Sequence, residues 1–253
     1  MIRVRTLGLA LVAVLAASAV AAVAAQATEG PFYKVGGVRL SGNKEIEVKA
    51  VGNQILRAAG VTVTCSAVKV PVGSVIIGLN VKQGDQSKET LEYSGCTVAG
   101  NGSPCEVESK EVKTKKLENL LGYETSTRTG KVLTGFKPEG ATAKEFATIK
   151  FTGTGCTVTS TKVELGSGDK LGVACETLNE AGLVVSVNAN ETEGTKGFVR
   201  CPKTPIGKLF YEKAGAIEEL KAGLVAFFFT SEYEGQTEVK IKGGTEKFGV
   251  FTK

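Results

Sequence analysis

The segments IEVKAV (46–51) and TEVKIK (237–242) set the tightest limit on the fold, because apolar and polar residues alternate along them with period two. That alternation turns one face of a β-strand to a core and the other to water. Ile46, Val48 and Ala50 share one face of the first segment, with Glu47 and Lys49 opposite; Val239 and Ile241 play the inward part in the second. ATIKF (147–151) repeats the pattern with Ala147, Ile149 and Phe151. Further strands are expected at 61–65, 74–81, 90–95, 106–112, 131–136, 158–165, 183–188, 206–211, 224–230 and 247–252. GLVAFFFT (223–230) is the most apolar of these runs and has the length of a core strand. Turn signals such as Gly52-Asn53, Gly84-Asp85 and Gly166-Ser167-Gly168 separate them. Many short strands without interleaved helices describe an all-β protein, an antiparallel sandwich or barrel-like architecture. The best helix candidate is YEKAGAIEELKAG (211–223), weakened by Gly215 and equally readable as a loop carrying a single turn.

The chain opens MIRVRTLGLALVAVLAASAVAAVAAQA, with Arg3 and Arg5 ahead of an apolar run from Leu7 to Ala25. A charged start, an apolar middle and the small exit Ala25-Gln26-Ala27 describe a secretory signal peptide over 1–27. A retained anchor is the alternative, since a span needs ~20 apolar residues. Alanine gains little from lipid, which favours cleavage. The remainder, 28–253, is then the all-β domain, secreted or held at the cell surface, with no membrane span of its own. If it comprises two halves, GFKPEGATAKE (135–145) is the seam, and the echo between YSGCTV (93–98) and GTGCTV (153–158) fits that division.

Net charge is +5, and two of the arginines belong to the leader. So weak a field argues against nucleic acid as a partner. Lys113, Lys115 and Lys116 form the densest basic cluster and read as an exposed strand face.

Six cysteines, at 65, 96, 105, 156, 175 and 201, all follow the leader. Zinc would need close Cys pairs or histidines, and the chain has no histidine. A redox C-x-x-C is also missing. An even number of cysteines in an exported chain reads as disulfides. Within YSGCTVAGNGSPC (93–105), a two-residue loop at Gly100-Asn101 would set Cys96 opposite Cys105. Pro104 would interrupt that ladder, having no N–H, and a loop at Asn101-Gly102 would set Val107 opposite Cys96 instead. Cys96–Cys105 is the expected pair. Cys156–Cys175, centred near the Gly166-Ser167-Gly168 turn, follows, and Cys65–Cys201 is left as a long-range closure.

Without histidine, Ser-His-Asp and Cys-His catalysis and His-ligated metals are excluded. The only aspartates are Asp85 and Asp169, and no calcium loop is present. No catalytic, cofactor-binding or metal residue is therefore assigned. Glu232 and Glu234 stand two apart on a strand, a conceivable carboxylate pair for glycoside hydrolysis, as are Glu218-Glu219 and Glu106/Glu108. Exposed polar strand ends are the favoured reading of all three. GSGDKLG (166–172) reads as a hairpin turn rather than a phosphate loop. With no tryptophan, the aromatics to test as ligand contacts are Phe32, Tyr33, Tyr211 and Tyr233.

FYKVGGVRL (32–40), VTVTC (61–65), YSGCTV…PC (93–105), NLLGY (119–123) and FTGTGC (151–156) occur in an order that resembles a family of uncharacterised exported proteins from high-GC Gram-positive actinobacteria. The resemblance implies export and a β-rich fold, and carries no functional residues with it. Three functions remain in competition. The first is a non-catalytic structural or interaction protein of the envelope or extracellular space, its partner an envelope component or another protein. The second is a binding module for an envelope glycan or small ligand. The third is a hydrolase using paired glutamates.

Overall fold

A computed structural model describes residues 29–79 and 82–253. The expected leader, 1–27, lies outside the described residues. Twenty-one strands and one short 3-10 turn make up the described chain, which is all-β as the alternation predicts.

Eight of the strands close a ring in which every neighbour is antiparallel. In order around it lie β3 (Gly42–Ala50), β6 (Val75–Gly78), β7 (Gln86–Glu89), β11 (Leu117–Tyr123), β12 (Val132–Pro138), β15 (Val173–Leu178), β16 (Gly197–Cys201) and β20 (Phe229–Ile241). The architecture is thus a barrel, which leaves no open sheet edge in the ring.

The 13-residue β20 also belongs to a second circuit. Its first residues pair with β4 (Gln54–Ala58), which leads through β5 (Val61–Lys69) and β8 (Glu92–Ala99) to β10 (Glu111–Lys113). On its other edge β20 meets β19 (Leu224–Ala226), then β14 (Ser160–Leu165) and β13 (Glu145–Thr152). A single bridge between Thr114 and Ala147, with Lys115 N donating to Phe146 O at 2.8 Å, joins β10 to β13. The chain passes back and forth between the two circuits; residues 139–144, inside the expected seam, make one such crossing from β12 to β13.

The predicted inward faces hold: Ile46, Val48, Ala147, Ile149, Phe151 and Ile241 are buried. Outward positions oppose unlike charges across strands, Glu118 to Lys137, Glu238 to Lys49 and Glu176 to Arg200. Each pair is also in ionic contact, at 3.1, 3.4 and 2.5 Å. Opposite charges directly across an antiparallel pair favour this register.

Three local expectations fail. Residues 211–223 form no helix: β17 (Lys208–Lys213) and β18 (Ala216–Lys221) make a hairpin about Ala214-Gly215, both at positive φ. Leu209, Tyr211 and Leu220 from this hairpin cover Leu120, Leu133 and Ala174 on the outside of the barrel. Burial of that outer patch wins over helix propensity, which is weak where a glycine sits mid-segment. Residues 224–230 are not one strand either. The chain reverses at Phe227 (φ 53) and Phe228 (φ 66), between β19 and β20. Residues 183–188 form only isolated bridges.

All six cysteines are paired, but none of the three expected pairings occurs. The bridges are Cys65–Cys96, Cys105–Cys156 and Cys175–Cys201. There is no hairpin at Gly100-Asn101. β8 pairs instead with β5, and that register sets Cys65 directly across from Cys96. Asn101 is wholly buried. Its side chain donates to Val158 O at 2.9 Å and accepts from Thr157 Oγ1 at 2.7 Å and Val158 N at 3.0 Å. Residues 101–105 are thereby tied to 153–158, which brings Cys105 to Cys156. Cys175 and Cys201 face each other across β15 and β16, whose register pairs Glu176 with Arg200.

Candidate functional site

The inward side chains of both circuits line a cavity of about 110 Å³. That volume admits several waters or a small ligand; an apolar cavity of ~150 Å³ takes up benzene. Ile46, Val48, Ile76, Phe136, Val199 and Val239 supply much of its apolar wall.

A small sheet of β1 (Phe32–Val35), β2 (Val38–Arg39) and β21 (Phe248–Phe251) places Tyr33 on the cavity wall. Asp85, fully buried, holds it there by accepting hydrogen bonds from Tyr33 N and Leu79 N, each at 2.8 Å. Burial pushes the Asp85 carboxyl up to about 6, against those two hydrogen bonds, which lower it.

Two polar clusters lie on the wall. In the first, Tyr93 and Tyr233 share a hydrogen bond at 3.1 Å, Tyr233 Oη donates to Gln54 Oε1 at 2.7 Å, and Gln54 Nε2 donates to Gln236 O at 2.9 Å. Burial pushes the Tyr233 hydroxyl up to about 12. In the second, Asn119 lies directly across β11 and β7 from Ser87 and donates to Ser87 Oγ at 2.8 Å and to Glu89 Oε1 at 2.5 Å. Glu89 is only 6% exposed and has no cationic partner among the described residues. Burial pushes its carboxyl up to about 7, while the Asn119 hydrogen bond pulls the other way.

Of the four aromatics singled out from sequence, Tyr33 and Tyr233 line this cavity. Phe32 and Tyr211 do not. Phe32 is buried under the Arg39 guanidinium, 4.1 Å from the ring centroid, and Tyr211 packs from the outer hairpin onto the outside of the barrel. The carboxylate pairs do not converge. Glu232 is exposed, Glu234 is bound to Arg57 at 2.7 Å, and Glu106 and Glu108 are exposed. Glu218 and Glu219 are engaged separately by Lys170 and Lys208. Glu89 and Asn119 were not found by sequence reasoning, which assigns charged residues in a strand to the outer face. The available signal was phase: Ser87, Glu89, Leu91 and Tyr93 alternate in step, so the glutamate shares a face with core residues.

Among the described residues no group of His, Cys, Asp or Glu is arranged to hold a metal ion, and no helix is long and apolar enough to cross a membrane. Compared with protein-family models, curated proteins and solved structures, the chain matches none.

Proposed function

We propose that this chain is an exported, non-catalytic binding protein whose barrel interior holds one small ligand. The observation that carries the reading is the cavity walled by both circuits, mainly apolar but with polar clusters at defined points, the usual makeup of a ligand site. Export is supported by the leader pattern at Arg3, Arg5 and Leu7–Ala25, by the three disulfides, and by the resemblance to exported actinobacterial proteins. A small ligand is favoured over a polymeric glycan, because Tyr33 and Tyr233 turn inward and offer no outer stacking platform. The hydrolase reading loses its motive, since its glutamate pairs lie at solvent or in separate ion pairs.

The test is a fragment screen followed by protein NMR. Saturable shifts centred on Val48, Ile76 and Val199, abolished in Val199→Phe, are expected. Shifts confined to the outer surface would refute the reading. A role in contacting the envelope has one observation of its own: Phe228 and Phe229, at the β19–β20 turn, are 99% and 60% exposed. Retention of the wild-type protein, but not of Phe228→Ser/Phe229→Ser, by envelope fractions would support it.

A further inference from the structure

The polar groups on the cavity wall are unevenly matched, and the mismatch has a definite chemistry. Asn119 is 4% exposed, its amide nitrogen donates to Ser87 and Glu89, and its Oδ1 has no hydrogen-bond donor among the described residues. A buried acceptor left in this state is costly, typically by ~1–3 kcal/mol. Beside it, Glu89 contributes a second group that only accepts while ionised. Its charge is desolvated by the fold and answered by no lysine or arginine among the described residues. The titratable groups that feel it most directly are Tyr33 and Tyr93, both neutral at ordinary pH because burial, and to a lesser degree Glu89 itself, raises them. On other parts of the wall the Tyr93–Tyr233–Gln54 chain is complete, and Thr114 Oγ1 accepts from Leu91 N at 2.9 Å.

A ligand that completes this wall brings N–H donors and positive charge at one end and an apolar body at the other. The geometry points to a small apolar primary amine, bound as its ammonium with the nitrogen between Glu89 and Asn119 Oδ1 and the alkyl part against Ile76, Val48 and Val199; this rests on the cavity-binding reading above. An ammonium has three donors, enough for the open Asn119 oxygen and the carboxylate together. The folded protein has already removed Glu89 from water, so only the ligand's own desolvation opposes the ion pair on binding. Because burial pushes the Glu89 carboxyl up to about 7, amine affinity is expected to fall as pH drops below that value, by up to about tenfold per unit.

NMR titration of the purified protein at pH 8 with isobutylamine, and in parallel with its neutral counterpart isobutanol, tests the assignment. The amine is expected to bind at least about tenfold more tightly, the range of a charge-assisted hydrogen bond over a neutral one. Glu89→Gln is expected to abolish the preference, the amine losing at least about tenfold more affinity than isobutanol. Should that variant fail to fold, the wild-type protein at pH 5 poses the same question, and the preference is expected to collapse there. Equal affinities at pH 8, or a preference that survives either Glu89→Gln or pH 5, would overturn the amine assignment and leave the cavity reading intact. If neither probe binds and the cavity holds water alone, both fall.

Discussion

The two polar clusters of the barrel interior share one cavity and differ in almost every other respect. Gln54, Tyr93 and Tyr233 are neutral groups that each donate and accept, so a chain of hydrogen bonds can satisfy them without outside help. Ser87, Asn119 and Glu89 include a carboxylate, which supplies acceptors alone, and the surplus shows up as the unmatched Asn119 oxygen. The closed cluster is also cross-linked: Gln54 is in register with Cys65, and Cys201 with Gly235 on the strand that carries Tyr233. β7 and β11, which carry the open cluster, contain no cysteine. One side of the cavity is built as frame. The other retains unmet valence, the arrangement expected where a ligand completes the structure.

The contrast can be broken most forcefully at its covalent part. Replacing Cys175 and Cys201 together by alanine is expected to cost about 2–5 kcal/mol in chemical denaturation, and an unchanged midpoint would show that the frame does not depend on that bridge. Tyr233→Phe should cost about 1–3 kcal/mol, since it strands Tyr93 and Gln54 at once; a loss well below that would mean the closed cluster is less tightly matched than its distances suggest.

Glu89→Gln should act in the opposite direction. Burial pushes the folded carboxyl up to about 7, above its ordinary value of 4.5, so the folded state binds protons more readily than the unfolded one. Its destabilising effect is full above about 7, shrinks as pH falls, and is gone below about 4.5. The variant is therefore expected to melt higher than wild type at pH 8 and to match it at pH 4.5. A wild-type protein that melts higher at pH 8 would place a cation on Glu89. The smallest effect is expected far from both clusters: Phe228→Gly relieves a positive φ and should stabilise by about 1 kcal/mol or less.

The alternating runs were a good guide to what faces inward. Ile46, Val48, Ile149 and Phe151 needed only their neighbours in the chain to be placed. The cysteines show where that guide ends. Counting around a local turn matches Cys96 to Cys105, whereas its partner is Cys65, 31 residues away, through a strand pairing that no local spacing encodes. Residues 211–223 became a hairpin because an apolar patch outside the barrel needed covering, a demand that exists only once the barrel has formed. Glu89 escaped notice for a related reason: a glutamate on a strand ordinarily faces water, and only the phase of Leu91 and Tyr93 hinted otherwise.

The amino-acid order by itself determined that this chain is made of strands, which side of many of them is apolar, and that its cysteines form disulfides, because strand alternation and the even cysteine number can be read directly from the chain. Which strands become neighbours, which sulfurs meet, and which carboxylate ends up inside were decided by closure of the barrel. Closing a ring of eight antiparallel strands fixes every register at once, through hydrogen bonds between residues distant in the chain.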